Sequence, residues 1–235
     1  MGDAPLGRAA IVGVGGLGAP AALVLAGLGA RLSLIDPDVV ELSNLPRQPL
    51  YGTGDLGRPK VEVASERLRR GRPGTSVKVH VARLDERNAA ALLQAHDVVV
   101  DGTDGLSSKD LLNRVALELR VPLVHAGAIG LDGQLMTILP GRTACLRCLF
   151  VELSPEDELP TCQQAGVLGP VVGAVGLAAA REAAAVLRGH PPPLAGRLGI
   201  SKAARCAGAR SRSRETRRVP TAAPRAGCAG RGETR

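Results

Sequence analysis

Aromatic side chains are almost absent. In 235 residues there is no Trp, one Tyr (Tyr51) and one Phe (Phe150). Proteins that hold single-stranded nucleic acid stack its bases on aromatic rings, and that device has almost nothing to work with here. The core must come from Ala, Val, Leu, Ile and Gly, for which the 45% of hydrophobic residues suffices. Cysteine is scarce and odd in number, at five. That argues against a disulfide framework and leaves the C-x-x-C of Cys145 and Cys148 to metal or redox chemistry in a reducing compartment. A secretory leader is also lacking. Residues 9 to 30 carry no charge, but six Gly and one Pro interrupt them, and no cationic n-region or cleavage site accompanies them. They read as a buried strand, turn and helix, and the expectation is a soluble, cytoplasmic protein with no membrane partner.

Charge is unevenly placed. The net charge is +8, yet residues 199 to 235 hold nine Arg, one Lys and two Glu, and residues 1 to 198 are balanced. The body therefore shows no bias toward nucleic acid. The Arg-rich segment has no periodic apolar pattern and is expected to be a disordered, solvated tail. Domain organisation follows: residues 1–198 form one domain and 199–235 a tail.

Within the body, apolar runs alternate with helical patterns. Strands are expected at 8–14, 31–36, 76–84, 96–104 and 121–129, with an antiparallel one at 133–140. Helices are expected at 17–28, 57–70, 88–95, 106–120 and 169–189. Such alternation predicts an α/β fold, a doubly wound Rossmann-like sheet that is mostly parallel, with helices on both faces and an antiparallel extension. Ligands of these sheets bind beyond the carboxyl ends of the strands. The polar clusters fall there: Gly13 to Gly18, Asp36, and Asp101 to Asp104.

The stretch "GVGGLG" supplies Gly13, Gly15, Gly16 and Gly18 between a strand and a helix. Its glycines let the backbone approach phosphate, and the helix N-terminus favours anionic charge. Asp36 closes the second strand, where a carboxylate accepts hydrogen bonds from a ribose. These features fit NAD, FAD or ATP equally. The polar stretch that follows carries Asn44, Arg47 and Lys60. An Arg and a Lys there would neutralise the β- and γ-phosphate oxygens of a triphosphate and the charge developing at the α-phosphorus. A dinucleotide gives no reason for them; the plainer alternative is an exposed loop and a solvated helix face. In "DGTD", Asp101 or Asp104 would hold Mg²⁺ against substrate phosphate, or cap the next helix.

Taken together, "GVGGLG" (13–18), "LIDPDVVELSNLPRQ" (34–48), "GRPK" (57–60), "DGTD" (101–104), "CLRC" (145–148) and "TCQQAGVLGP" (161–170) resemble the ThiF/MoeB/HesA family, bacterial relatives of ubiquitin-activating enzymes. The resemblance runs over residues 8–198. It implies an adenylyltransferase that binds ATP and Mg²⁺ and activates the C-terminal Gly-Gly carboxylate of a ubiquitin-like sulfur carrier of the ThiS or MoaD type, working as a homodimer. By position, Gly16, Asp36, Ser43, Asn44, Arg47, Lys60 and Asp104 match the nucleotide-binding residues, with Arg47, Lys60 and Asp104 acting on the phosphates and the metal. Cys162 matches the family's reactive cysteine. Cys145 and Cys148 match half of a Zn²⁺ site whose second C-x-x-C this chain does not contain, so zinc is expected to be weak or absent.

The chain departs from the family in three places. Gly105 stands where Asn is common. The chain starts after the family's N-terminal helix. The Arg-rich composition from residue 199 reads as a frameshift in a high-GC coding sequence. The rivals to an active adenylyltransferase are an NAD- or FAD-dependent oxidoreductase and a non-catalytic remnant that keeps the fold.

Overall fold

The computed structural model describes residues 6–150, 166–202 and 215–218. Among the described residues eight strands form one sheet in the order β3-β2-β1-β4-β5-β6-β7-β8. The first five are β1 (Arg8–Val12), β2 (Arg31–Ile35), β3 (Val77–His80), β4 (Val98–Asp101) and β5 (Leu123–Ile129). They pair in parallel. Then β6 (Asp132–Ile138), β7 (Arg197–Lys202) and β8 (Glu215–Arg218) extend the sheet antiparallel. The Ala-, Val- and Leu-rich runs of β1, β2 and β4 are buried over nearly their whole length, as strands covered on both faces must be.

Two hydrophobic layers sandwich the sheet. On one face lie α1 (Gly18–Gly27), α2 (Lys60–Gly71) and α6 (Gly169–Leu187). On the other lie α3 (Ala89–Leu93), α4 (Leu106–Glu118) and the single turn α5 (Leu146–Leu149). Two short 3₁₀ turns, Leu42–Arg47 and Thr53–Asp55, occupy the connection from β2 to α2. By length and apolar composition α6 could cross a membrane. In the fold its Val171, Val175, Ala179 and Ala183 face are buried against α1, β5 and β6. Inside that interface Glu182 accepts hydrogen bonds from Thr137 Oγ1 (2.8 Å) and Leu194 N (2.9 Å), tying α6 to β6 and to the approach to β7.

One boundary needs correcting. The division at residue 198 falls inside β7, and residues 199–202 and 215–218 of the Arg-rich segment are strands. Their pairing comes from outside their own pattern: β6 presents an open edge of backbone donors and acceptors, which β7 and then β8 satisfy. The remainder of that segment, with Cys206 and Cys228, lies outside the described residues.

Candidate functional site

The chain reverses direction across the sheet between β1 and β4, and the turns leaving these two strands lie back to back. Gly13 has φ +82°, and a Cβ there would stand 2.7 Å from the Gly102 carbonyl oxygen. A Cβ on Gly18 would stand 1.9 Å from the Gly13 oxygen, so this turn admits no side chain where it folds onto the start of α1. Gly18 therefore packs beneath the turn and does not line the cleft, whereas Gly13, Gly15 and Gly16 line it. The backbone N–H groups of Gly15, Gly16 and Leu17 find no acceptor among the described residues. No side chain caps α1. These free donors at a helix start form an anion cradle.

Asp36 stands beside it at the end of β2, 4% exposed. Its Oδ2 accepts from Val14 N (2.6 Å) and its Oδ1 from Asp38 N (2.9 Å). The carboxylate is thus held by the glycine turn, and each oxygen keeps a lone pair for a ligand hydroxyl. Burial pushes its carboxyl above the ordinary carboxylate range, against the pull of the Lys60 ammonium and the two backbone donors. Under the turn, the buried Tyr51 donates its hydroxyl to the Val14 carbonyl (2.6 Å). Burial raises its phenol far above the usual range, so it stays a donor.

The first 3₁₀ turn brings Asn44 and Arg47 to the cleft. Asn44 is buried, with its Oδ1 accepting from Arg47 Nη2 (2.8 Å) and from Gln48 Nε2 (3.4 Å). Arg47 Nη1 donates to the Ser43 carbonyl (2.9 Å). A guanidinium has five N–H donors, so three remain. Lys60 begins α2; its stem is buried, and its Nζ reaches Asp38 Oδ2 at 2.9 Å. Ser43 differs from the sequence reading. Its hydroxyl turns toward Glu41 Oε2 (3.3 Å) and it does not line the cleft.

The tip of β4 separates its two acids. Asp104 is exposed at the cleft mouth and has no hydrogen bond or ion pair among the described residues. Asp101 is fully buried and faces away from ligand chemistry. Its Oδ1 accepts from Thr103 N (3.0 Å) and Thr103 Oγ1 (2.7 Å), and its Oδ2 from Lys109 Nζ (3.1 Å) and His125 Nδ1 (2.9 Å). Although burial opposes ionisation, Lys109, His125 and Thr103 outweigh it and hold the Asp101 carboxyl well below the ordinary range. Neither Asp caps α4, which begins from Gly105 without a side-chain cap.

The sequence reading thus placed Gly13, Gly15, Gly16, Asp36, Asn44, Arg47, Lys60 and Asp104 in one cleft, and they meet there. It missed Asp38, Gln48, Arg83 and Thr103, which also line it. The position of Asp38 two residues beyond the ribose-type acid was the available signal. Cys162 lies outside the described residues. Cys145 and Cys148 hold their Sγ atoms 3.6 Å apart. Among the described residues no group of three or more His, Cys, Asp or Glu could hold a metal, so the half-site for zinc gains no further ligand there.

The ThiF family profile matches residues 6–228. The chain is 41% identical over 189 residues to the Anopheles gambiae protein named adenylyltransferase and sulfurtransferase MOCS3, over 80% of this chain and 43% of that protein. It is 42% identical over 187 residues to the Escherichia coli sulfur carrier protein ThiS adenylyltransferase, over 78% of this chain and 73% of that one. The chain therefore spans less than half the length of the mosquito relative. Among solved structures, Escherichia coli MccB with MccA-N7isoASN superposes with a TM-score of 0.81 at 19% identity, over 95% of this chain and 67% of that one. That likeness is one of fold.

Proposed function

The chain belongs to the ThiF family, and from that premise we propose that it transfers the adenylyl group of ATP to the C-terminal Gly-Gly carboxylate of a ubiquitin-like sulfur-carrier protein. A carboxylate oxygen of the carrier attacks the α-phosphorus. The bond to the bridging oxygen breaks, and pyrophosphate leaves with the electron pair, giving an acyl-adenylate ready for sulfur transfer. The observation that carries this reading is the meeting of Arg47, Lys60 and Asp104 around the free amides of Gly15 to Leu17. A dinucleotide held through Asp36 at its ribose presents no triphosphate tail on which two cations and a carboxylate together would act.

Each group has a part. Asp36 accepts the ribose hydroxyls. The amides of the glycine turn take phosphate oxygens, and Arg47 and Lys60 neutralise charge that grows as pyrophosphate departs. Both cations are pre-positioned, Arg47 by Asn44 and Lys60 by Asp38, so little reorganisation is needed on binding. Asp104 suits Mg²⁺, which prefers one or two carboxylates together with substrate phosphate and water. When bound, the ion draws negative charge from the phosphate oxygens. We place the enzyme in the cytoplasm and pair it with a second copy across the exposed stripe of α6 around Leu177.

Exchange of radiolabelled pyrophosphate into ATP tests the reaction. Exchange is expected only when a carrier protein ending in Gly-Gly is added, and it should disappear with a carrier lacking the last glycine. Absence of exchange with any such carrier, while NAD binds and ATP does not, would favour the oxidoreductase reading. Replacing Arg47 or Lys60 by Ala is expected to lower kcat about 10²- to 10³-fold, the scale for removing a donor that acts on transition-state charge.

A further inference from the structure

A second hollow lies on the α3 side of the sheet, running from the starts of β1 and β2 across β3 to His80, its last residue. Arg8, Arg31, Lys78, His80 and His96 line it, together with Ser33 and Ser76, and among the described residues no carboxylate does. The placement follows from strand register. Arg8 pairs with Arg31 across β1 and β2, and Ser33 pairs with Lys78 across β2 and β3. Alternation along each strand then sets these side chains on one face. The short α3 covers that face only in part, leaving Ala91, Leu92 and Ala95 as an apolar wall. The other face of β2, through Leu32 and Leu34, is sealed in the core.

This concentration of positive charge is not a by-product of a basic protein, because residues 1–198 carry equal numbers of acidic and basic side chains. Nor is the charge neutralised locally. Among the described residues, the side chains of Arg8, Arg31, Lys78 and His80 have no hydrogen bond or ion pair. Asp97, next to His96 in sequence, uses its Oδ2 on the backbone N–H of Arg8 (2.7 Å). His96 sits between the Leu93 carbonyl (Nδ1, 3.2 Å) and the Ser33 hydroxyl (Nε2, 2.8 Å). A carbonyl only accepts, so the neutral ring carries its proton on Nδ1 and Ser33 donates to Nε2.

We propose that this hollow binds the phosphate group of a small molecule, at a site separate from the glycine-turn cleft. Two guanidinium groups on neighbouring strands, roughly 4.8 Å apart at the backbone, present the forked donors that suit phosphate oxygens. Lys78, His80 and the hydroxyl of Ser76 add further donors, and the Ala91–Leu92–Ala95 wall receives an apolar remainder. Binding is coupled to proton uptake at His96. Burial keeps this imidazole below its ordinary value, with Arg8 and His80 adding to the effect and the Leu93 carbonyl and Asp97 opposing it. A bound dianion reverses that balance and favours the charged imidazolium of His96.

Nuclear magnetic resonance of the four histidine rings in the full chain tests the site, with inorganic phosphate and phenyl phosphate as probes. The signals of His80 and His96 are expected to shift saturably, while His125, buried beside Asp101 and outside the hollow, stays still. The double variant Arg8→Ala, Arg31→Ala replaces exposed side chains, and it should weaken both probes at least about tenfold, as loss of charge-assisted hydrogen bonds does. A tighter response to phenyl phosphate assigns an organic phosphate, and an equal response assigns free phosphate. Shifts reproduced by sodium chloride at the same ionic strength, or unchanged in the double variant, overturn the proposal.

Discussion

At the scale of single residues, Asp36 and Asp101 show how one side-chain type takes opposite roles in neighbouring strands. Burial raises the Asp36 carboxyl, so its ionised form lowers stability above its folded titration point, and the carboxylate is kept for a ligand. Nucleotide affinity is expected to fall as acid protonates Asp36, at a higher pH than an ordinary carboxyl would require; a dissociation constant measured against pH checks this. Asp101 is held in the opposite direction by Lys109 and His125. Its contribution to stability is present above the ordinary carboxylate value and is lost as pH falls through its folded one. Substituting Asp101→Asn leaves Lys109 buried without its counter-ion and should cost about 3–5 kcal/mol in denaturant unfolding. Burial keeps His125 neutral below its ordinary 6.5. The unfolded chain therefore takes up that proton first, and stability declines as pH falls below that value. In His125→Asn the slope of stability between about pH 7 and pH 5 should flatten, by at most roughly 1.4 kcal/mol per pH unit. An unchanged slope would contradict a neutral His125.

At the scale of elements, α6 clamps the two halves of the cleft. A Cβ on Gly176 would lie 2.4 Å from the Leu17 carbonyl oxygen, and one on Gly169 would lie 2.8 Å from that of Pro46. The helix thus rests on the glycine turn and on the 3₁₀ turn that carries Arg47. Gly176→Ala must push the helix away, with an expected loss of about 1–3 kcal/mol and weaker ATP binding. Gly173→Ala meets nothing within 4 Å and should instead stabilise the helix by roughly 0.5–1 kcal/mol; thermal unfolding of the pair separates packing from propensity. The sequence made the main elements legible because strands buried on both faces read as short apolar runs and helices as longer ones. The 3₁₀ turn at Leu42–Arg47 escaped, since a Pro- and Asn-containing hexapeptide has no hydrophobic period. β7 and β8 escaped because the edge of β6, not their own alternation, makes them strands. In the cleft, the cations and carboxylates that line it could be recognised from their order along the chain. The Asp101–His125 contact could not, because it arises from the register of β4 against β5, and neither could the turning of Ser43 toward Glu41.

At the scale of the whole molecule, the cleft is a junction. Its lining comes from the turns after β1 and β4, the end of β2, the first 3₁₀ turn, the starts of α2 and α6, and the segment after β3. A ligand seated there touches segments from Val12 to Val172, and in the unfolded chain no two of these segments are held together. Binding is therefore linked to folding of the entire domain. A nucleotide at about 100 times its dissociation constant adds roughly 2.7 kcal/mol to stability, which raises Tm by about 5–10 °C in a domain of this size. The glycine turn and Asp36 would serve the adenosine half of ATP or NAD alike, so wild-type discrimination must come from Arg47, Lys60 and Asp104. MgATP is expected to raise Tm well above the effect of the same concentration of NAD. The double variant Arg47→Ala, Lys60→Ala should bring the two shifts together by shrinking that of ATP and sparing that of NAD. If the variant instead lost both shifts equally, the two cations would be holding the cleft in shape, and the selectivity for a triphosphate would have to lie in Asp104.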